Sequence, residues 1–77
     1  MSDSMFKAIA DANRRKILQL LKKYSSLTAG EIADHFEISK PSLSEHLKIL
    51  RHANLIFAQK QGQFIHYRLN TGVFEDI

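Results

Sequence analysis

The chain has 77 residues, which allows one small domain over residues 1–77. It contains no cysteine, so disulfides and thiolate metal sites are excluded. Hydrophobic residues make up 44% and charged residues 25%, shares that are typical of a folded protein rather than a disordered one. The longest apolar runs, such as residues 55–58, are far shorter than the ~20 residues of a membrane span, and no secretory signal opens the sequence. We therefore expect a cytoplasmic domain without membrane insertion.

The net charge of +3 is unevenly distributed along the chain. Residues 38–68 contain five Lys or Arg side chains and one acid, Glu45, whereas residues 24–37 contain three acids and no Lys or Arg. A basic half suits an anionic polymer such as nucleic acid. Ordinary solvent-exposed charges on helix faces explain this charge distribution equally well.

The first part of the chain has two stretches in which apolar residues recur at helical spacing. Residues 4–10 predict a short amphipathic helix. Its apolar edge consists of Met5, Phe6 and Ile9. Residues 14–24 predict a second helix with Asn13 as its N-cap and with lysines in its last turn, where cations favour the helix dipole. Residues 25–26 predict an exit loop.

Three consecutive cations, Arg14, Arg15 and Lys16, begin the second predicted helix. Such a basic cluster could contact nucleic acid. The interpretation that we favour is structural, with one of the arginines paired to Asp11 or Glu31.

Two short capped helices are predicted next. Thr28 and Glu31 form a capping box at the start of a helix over residues 29–36. Ser39 is the N-cap of a longer helix over residues 40–52. Two capped helices joined by a tight connection are the sequence pattern of a helix-turn-helix.

The hydrophobic period then changes from helical to alternating. Residues 55–59 and 63–69 predict two strands joined by a turn at Gln61-Gly62. Ile65, Tyr67 and Leu69 would share one face of this hairpin, which must pack on the helices because an isolated hairpin is marginally stable. Residues 73–77 are too short for an independent helix. The whole order predicts a mostly α fold with a small β-hairpin, a winged helix-turn-helix.

The helix over residues 40–52 has two contrasting faces. Leu43, Leu47 and Leu50 form one stripe at about 100° per residue, which we expect to be buried. The other side is polar, and small hydroxyls with lysines suit a major groove because serine can reach a base edge and lysine can neutralise phosphate. The DNA-contacting candidates are Lys40, Pro41, Ser42, Ser44, Glu45, His46 and Lys48. Such a face is by itself more often merely solvated, but the neighbouring caps and hairpin favour DNA binding.

Several segments of the chain resemble the ArsR-type bacterial repressors, and the likeness extends over residues 5–70. It is greatest to small autorepressors of this family that lack cysteine. The segments are residues 6–11 (FKAIAD), 14–18 (RRKIL), 27–33 (LTAGEIA), 38–50 (ISKPSLSEHLKIL), 54–56 (NLI) and 62–69 (GQFIHYRL).

The resemblance implies a homodimer that binds an operator palindrome in double-stranded DNA, blocks transcription, and is released by a metal or another signal. It implies recognition positions within the helix over residues 40–52, and a wing tip that contacts phosphates or a minor groove. The wing-tip residues are Lys60, Gln61, Gly62 and Gln63. The first and last helices of two subunits would form the dimer interface, from Met5, Phe6, Ile9, Val73, Phe74 and Ile77.

Three features depart from the family pattern. Residues 11–13 read Asp-Ala-Asn where Asp-Pro-Thr is usual, which affects the cap of the second helix. Glu45 places an acid where Gln or His is more common; it would repel phosphate and could accept a hydrogen bond from a cytosine amino group. The C-terminal dimer helix is reduced to residues 73–77.

Metal sensing and catalysis find no support in the sequence. Zinc generally needs four converging ligands, and His46 and His52 do not share a helix face. His46 borders the buried stripe and is predicted to pack or to contact phosphate. No His-Glu-x-x-His or glycine-rich nucleotide motif is present, so we predict no metal, no cofactor and no catalytic residue.

The sequence leaves open the signal that releases the repressor and an alternative function. A protein partner or another small signal must release such a repressor from DNA, if anything does. The alternative function is a winged-helix protein-interaction module without sequence-specific DNA binding, which uses the same surface on a protein partner.

Overall fold

The computed structural model describes residues 3–75. Its elements are α1 (Asp3–Ile9), α2 (Ala12–Tyr24), β1 (Ser26–Thr28), α3 (Ala29–Ala33), α4 (Lys40–His52), β2 (Ile56–Gln61), β3 (Phe64–Leu69) and α5 (Thr71–Glu75). This order confirms the winged helix-turn-helix, with α3 and α4 as the helix pair and β2 and β3 as the wing. Among the described residues no helix has the length and apolar content that crossing a lipid bilayer requires.

The second helix begins earlier than predicted. Asp11, not Asn13, is its N-cap, and the Asp11 carboxylate accepts hydrogen bonds from the backbone N–H groups of Asn13 at 2.8 Å and Arg14 at 3.2 Å. The prediction of Asn13 as the cap was wrong. A carboxylate at position 11 reaches the second and third amides of a helix that starts at Ala12, which satisfies two otherwise unpaired donors.

The caps of the helix-turn-helix are as predicted. The Thr28 hydroxyl accepts from the Glu31 N–H at 3.2 Å, and the Glu31 carboxylate accepts from the Thr28 N–H at 2.8 Å. Ser39 accepts from the Ser42 N–H at the start of α4. The helix α3 is shorter than predicted, since it ends at Ala33 and continues to Phe36 only as tighter turns with bonds to the third residue back.

The sheet contains a third strand that the sequence pattern does not predict. The strand β1, of which only Ser26 was predicted to lie in an exit loop, pairs antiparallel with β3, and the sheet order is β1-β3-β2. Leu27 lies opposite Tyr67 and is buried. Three residues contain too few alternations to reveal a strand by their period. Since Thr28 both ends β1 and caps α3, no loop separates the sheet from the helix-turn-helix.

The hairpin turn is shifted by one residue from its prediction. Gln61 pairs with Phe64, so the two-residue loop is Gly62-Gln63 rather than Gln61-Gly62. Gly62 has φ of 63°, and a glycine with positive φ at the first loop position is typical of a type II′ turn. The strands therefore cover residues 56–61 and 64–69 instead of 55–59 and 63–69.

The core lies between the helices and the inner face of the sheet. Leu43, Leu47 and Leu50 are buried in it as predicted, and Tyr67 and Leu69 pack against it. The other buried hydrophobic residues are Ala8, Ile17, Leu21, Leu27, Ile32, Ala53, Leu55 and Ile56. Ile65 is 46% exposed although it shares the face of Tyr67, because it pairs with Lys60 near the hairpin tip, beyond the helices.

The C-terminal segment forms a helix that begins two residues before the predicted segment. The helix α5 has five residues, and Val73 packs against the core while Phe74 is exposed. The predicted interface residue Ile77 lies outside the described residues. A helix of this length depends on its packing rather than on its own propensity.

Tyr67→Ala is expected to destabilise the domain by about 2 kcal/mol, because it removes a half-buried ring that joins β3 to the core. Lys60→Ala, in the exposed end of the wing, is the control and should leave the melting temperature nearly unchanged. Thermal unfolding followed by circular dichroism measures both. A larger fall in melting temperature for Lys60→Ala than for Tyr67→Ala would contradict the register of the hairpin.

Candidate nucleic-acid interface

The outer face of α4 is an exposed polar surface opposite a buried stripe. The first turn has a serine cap and Pro41, whose missing N–H costs little at that position. Burial of Leu43, Leu47 and Leu50 fixes the rotation of the helix about its axis. The exposed predicted site residues of α4 are Lys40, Pro41, Ser42, Ser44, Glu45 and Lys48. The structure thus brings six of the seven candidates in α4 to one solvent-facing surface.

The serines of this surface differ in what they bind. The Ser39 hydroxyl donates to the Ser42 hydroxyl at 3.0 Å and accepts from the Ser42 N–H at 3.2 Å. Ser44 is exposed, and within residues 3–75 its hydroxyl has no hydrogen-bond partner. Ser44 is therefore the serine whose hydroxyl is most available to a ligand.

The wing tip is a second exposed polar element. Lys60 and Gln61 end β2, and the turn at Gly62-Gln63 connects them to β3. All four of these predicted residues are exposed. The backbone of the tip depends on Gly62, because a side chain at its positive φ would be strained.

His46 differs from the other candidates in α4. Its side chain is only 16% exposed, and its Nδ1 atom lies 3.2 Å from Nη1 of Arg14 and 3.9 Å from the carboxylate of Asp11. A guanidinium has donors only, so a hydrogen bond between these atoms requires Nδ1 to accept and the proton to sit on Nε2. His46 joins α4 to the start of α2 and is set back from the exposed row.

The cluster of Arg14, Arg15 and Lys16 binds backbone carbonyls. Arg14 donates to the carbonyls of Ala8 at 2.7 Å and Lys7 at 2.9 Å, and Arg15 donates to the carbonyl of Ile9 at 2.8 Å. These are the last carbonyls of α1, which lack partners within the helix. The predicted pairing with Asp11 or Glu31 is wrong, since the hydrogen-bond partners of the two arginines are backbone carbonyls and, for Arg14, the His46 ring as well.

Lys16 closes a second helix end in the same way. Its ammonium donates to the carbonyl of His35 at 2.6 Å, just after α3, and lies 4.6 Å from the centre of the Phe36 ring. A cation near the C-terminal end of a helix is favourable because the last carbonyls carry partial negative charge. The three cations therefore stabilise the scaffold behind α4.

Two carboxylates at helix starts have altered acidity. The backbone N–H of Arg14 holds the pKa of Asp11 below its ordinary value of 3.8, with smaller contributions from the Asn13 N–H and the charge of Arg14. The backbone N–H of Thr28 and then its hydroxyl lower the pKa of Glu31 from 4.5. Hydrogen bonds to the charged form are the cause in both cases. No group of three or more His, Cys, Asp or Glu in residues 3–75 could hold a metal ion.

Comparison with known proteins gives one family. The sequence model described as bacterial regulatory protein, arsR family, matches residues 11–57, which is more than half of the chain. The transcriptional repressor SdpR of Bacillus subtilis is 57% identical over 74 residues, which cover 96% of this chain and 81% of that protein. The arsenical resistance operon repressor of Escherichia coli is 36% identical over 69 residues, or 90% of this chain and 59% of that one.

The solved structures agree with the sequence relatives. An ArsR-like transcriptional regulator from Rhodococcus superposes with a TM-score of 0.84 at 27% identity. The match covers 95% of this chain and 68% of that chain. The chain thus spans most of the SdpR sequence and a smaller part of the arsenical repressor and of the Rhodococcus regulator.

Asp11→Asn should flatten the acid side of the stability profile. The pKa of Asp11 is lower in the folded than in the unfolded chain. The Asp11 charge therefore stabilises the fold above pH 3.8, and this stabilisation is lost as the pH falls through the pKa of the folded state. Asparagine can still cap a helix, so the variant removes the charge and keeps the acceptor. Urea unfolding at pH values above and below 3.8 measures the difference.

Glu37→Gln, an exposed change in the connection between α3 and α4, is the charge-matched control and should keep the wild-type profile. Identical profiles for wild type and Asp11→Asn would contradict the role of the Asp11 charge.

Proposed function

This chain belongs to the ArsR family of bacterial regulatory proteins, and we propose that it represses transcription as a homodimer bound to an operator palindrome. It is a DNA-binding transcriptional regulator and not an enzyme, as its named relatives are repressors and regulators. A protein-interaction module without DNA binding, the alternative from the sequence, therefore loses its support. Its site of action would be the cytoplasm.

The observation that carries the proposal is the exposed face of α4. Lys40, Ser44 and Lys48 follow one another at intervals of four residues and so lie in a row along one side of the helix. At 1.5 Å per residue the two lysine Cα atoms are about 12 Å apart along the axis, close to the width of a major groove. The lysines would meet phosphates at the edges while Ser44 faces base edges between them.

Glu45 and the wing tip complete the proposed contact. Glu45 is exposed next to Ser44, where an acid disfavours phosphate and can accept from a cytosine amino group. Lys60 and its neighbours in the tip would lie on the adjacent backbone. His46 supports the proposal indirectly, because its contact with Arg14 fixes α4 to the scaffold.

The dimer rests on apolar side chains at both ends of the chain. Phe6 is 53% exposed and Phe74 is 36% exposed, and Met5, Ile9 and Val73 are half-buried around the core. Burying such side chains contributes about 1.5–3 kcal/mol each, which is large for so small a domain. A symmetric dimer would place two α4 helices in half-sites about 34 Å apart.

Selection of DNA fragments by the purified protein, followed by sequencing, tests the proposal as a whole. A palindrome with half-sites one helical turn or a similar multiple apart is the expected result. Its absence, together with binding that hardly depends on salt, would favour the protein-interaction function. A release signal, whether a protein partner or a small molecule, would be sought only after an operator is known.

Lys48→Ala should weaken binding to every duplex and reduce the salt slope by about 0.9, because one phosphate contact is lost. Ser44→Ala should instead reduce discrimination at one base pair of the half-site by about 1–3 kcal/mol with little change on random DNA. Fluorescence anisotropy with operator and scrambled duplexes over a range of salt measures both effects.

Lys23→Ala removes an exposed lysine of α2 and serves as the control for charge. It should leave the salt slope near that of wild type. If Ser44→Ala lost equal affinity for operator and for scrambled DNA, the result would contradict base reading by the Ser44 hydroxyl.

Phe6→Asp combined with Phe74→Asp should yield monomers that fold poorly and no longer bind the operator tightly, since one half-site offers too few contacts. Sedimentation at micromolar protein concentration measures the association. Phe64→Asp, which alters an exposed phenylalanine of the wing, is the control and should leave the dimer intact. A wild-type monomer that binds a palindrome tightly would show that the proposed interface is wrong.

A further inference from the structure

The tip of the wing carries two large apolar side chains that the fold does not cover. Phe64 is 56% exposed and Ile65 is 46% exposed, and they are the first two residues of β3 after the Gly62-Gln63 turn. Within residues 3–75 neither belongs to the core or to the hydrophobic residues packed against it. Adjacent exposed apolar side chains indicate a contact with another molecule, whereas a single one needs no explanation.

These two side chains lie on opposite faces of the wing, because successive residues of a strand point to opposite sides of a sheet. Phe64 pairs with Gln61, and Ile65 pairs with Lys60. Each apolar side chain therefore has a polar neighbour across the strand pair. A protein with a flat surface could cover only one of the two faces, whereas a groove that receives the whole tip covers both.

The side chains of the tip match the chemistry of the DNA minor groove. Lys60 can neutralise a phosphate, and Gln61 and Gln63 can donate to the acceptors on the groove floor. Proteins that bind this groove often combine such residues with an apolar side chain, such as phenylalanine or isoleucine, that enters the base stack. The wing tip contains both kinds of residue within six positions of the chain.

The tip is too thick for an undeformed minor groove. The groove of B-form DNA is about 6 Å wide, whereas one layer of sheet with its side chains occupies about 10 Å. The tip can enter only where the groove widens, as it does when a base step is unstacked. The middle position of β3 in the sheet supports Phe64 from behind.

We propose that Phe64 inserts between two base pairs from the minor groove beside the half-site, while Ile65 packs against the sugars of the groove wall. This inference rests on the proposed function, since α4 must place the wing at that groove. Pyrimidine–purine steps unstack easily and A-tracts are stiff, so the cost of opening depends on sequence. The wing thereby adds specificity at a step where no base edge is read.

DNA selection carried out in parallel with wild type and Phe64→Ala tests the proposal. Both proteins should select the same palindrome, because α4 is unchanged. Wild type should also favour a TA or CA step over an A-tract by about tenfold at one fixed distance from each half-site. Phe64→Ala should lose this preference, and it should melt near the wild-type temperature because Phe64 lies outside the core.

Energy transfer between dyes at the two ends of the selected duplex measures the bend. Wild type should bend the duplex by about 20° or more at each wing, and Phe64→Ala should leave it nearly straight. Phe64→Leu keeps an apolar wedge and should keep most of the bend. Phe57→Ala is the matched control, because Phe57 is 40% exposed but pairs with Arg68, about 13 Å along β3 from Phe64.

Three results would overturn the wedge. If wild type and Phe64→Ala select the same palindrome with the same flanking steps, or bend it equally, the wedge is wrong and the repressor function stands. If Phe64→Ala dissociates the dimer, the tip belongs to a contact between copies instead. If no palindrome is selected at all, the repressor proposal fails and the wedge fails with it.

Discussion

The guanidinium of Arg14 holds together the three helices on which the rest of the structure depends. From the first turn of α2 it donates to the Lys7 and Ala8 carbonyls at the end of α1 and reaches the His46 ring of α4. Lysine could not replace it, because a single ammonium lacks the planar set of donors that serves three acceptors in different directions. Asp11 lies beside this contact and caps α2 with the same carboxylate that faces His46. The orientation of α4 therefore follows from a polar contact as well as from leucine packing.

The sequence predicts well those elements whose hydrophobic pattern extends over many residues or whose cap lies next to them in the chain. The helix α4 spans 13 residues, has its cap and proline in place, and repeats leucine at helical spacing, so its bounds and buried face are both predictable. Asp11 and Asn13 are both good N-caps, and the choice between them depends on where the chain turns after α1. The strand β1 exists because it pairs with β3, in a register that places Leu27 opposite Tyr67. No local pattern of three residues reveals a partner so distant in the sequence.

Some features of the candidate site can likewise be predicted from the sequence, and others cannot. The exposed row of α4 follows from a helical projection, so Lys40, Ser44 and Lys48 are found without coordinates. The contact of His46 with Arg14 joins residues 32 positions apart and cannot be read from either segment alone. Sequence patterns locate functional side chains on one element, whereas sites assembled from several elements need the tertiary arrangement.

Thr28 gives the molecule a mechanical property. It is the last residue of β1, opposite His66 of the wing, and its hydroxyl and N–H are both committed to the cap of α3. A hinge needs residues that are free to change φ and ψ, and none lies between the sheet and the helix pair at this junction. The wing strand β3 and the helix-turn-helix consequently move as one body. Such a body gives up little conformational entropy when it docks, so more of its contact energy remains as affinity.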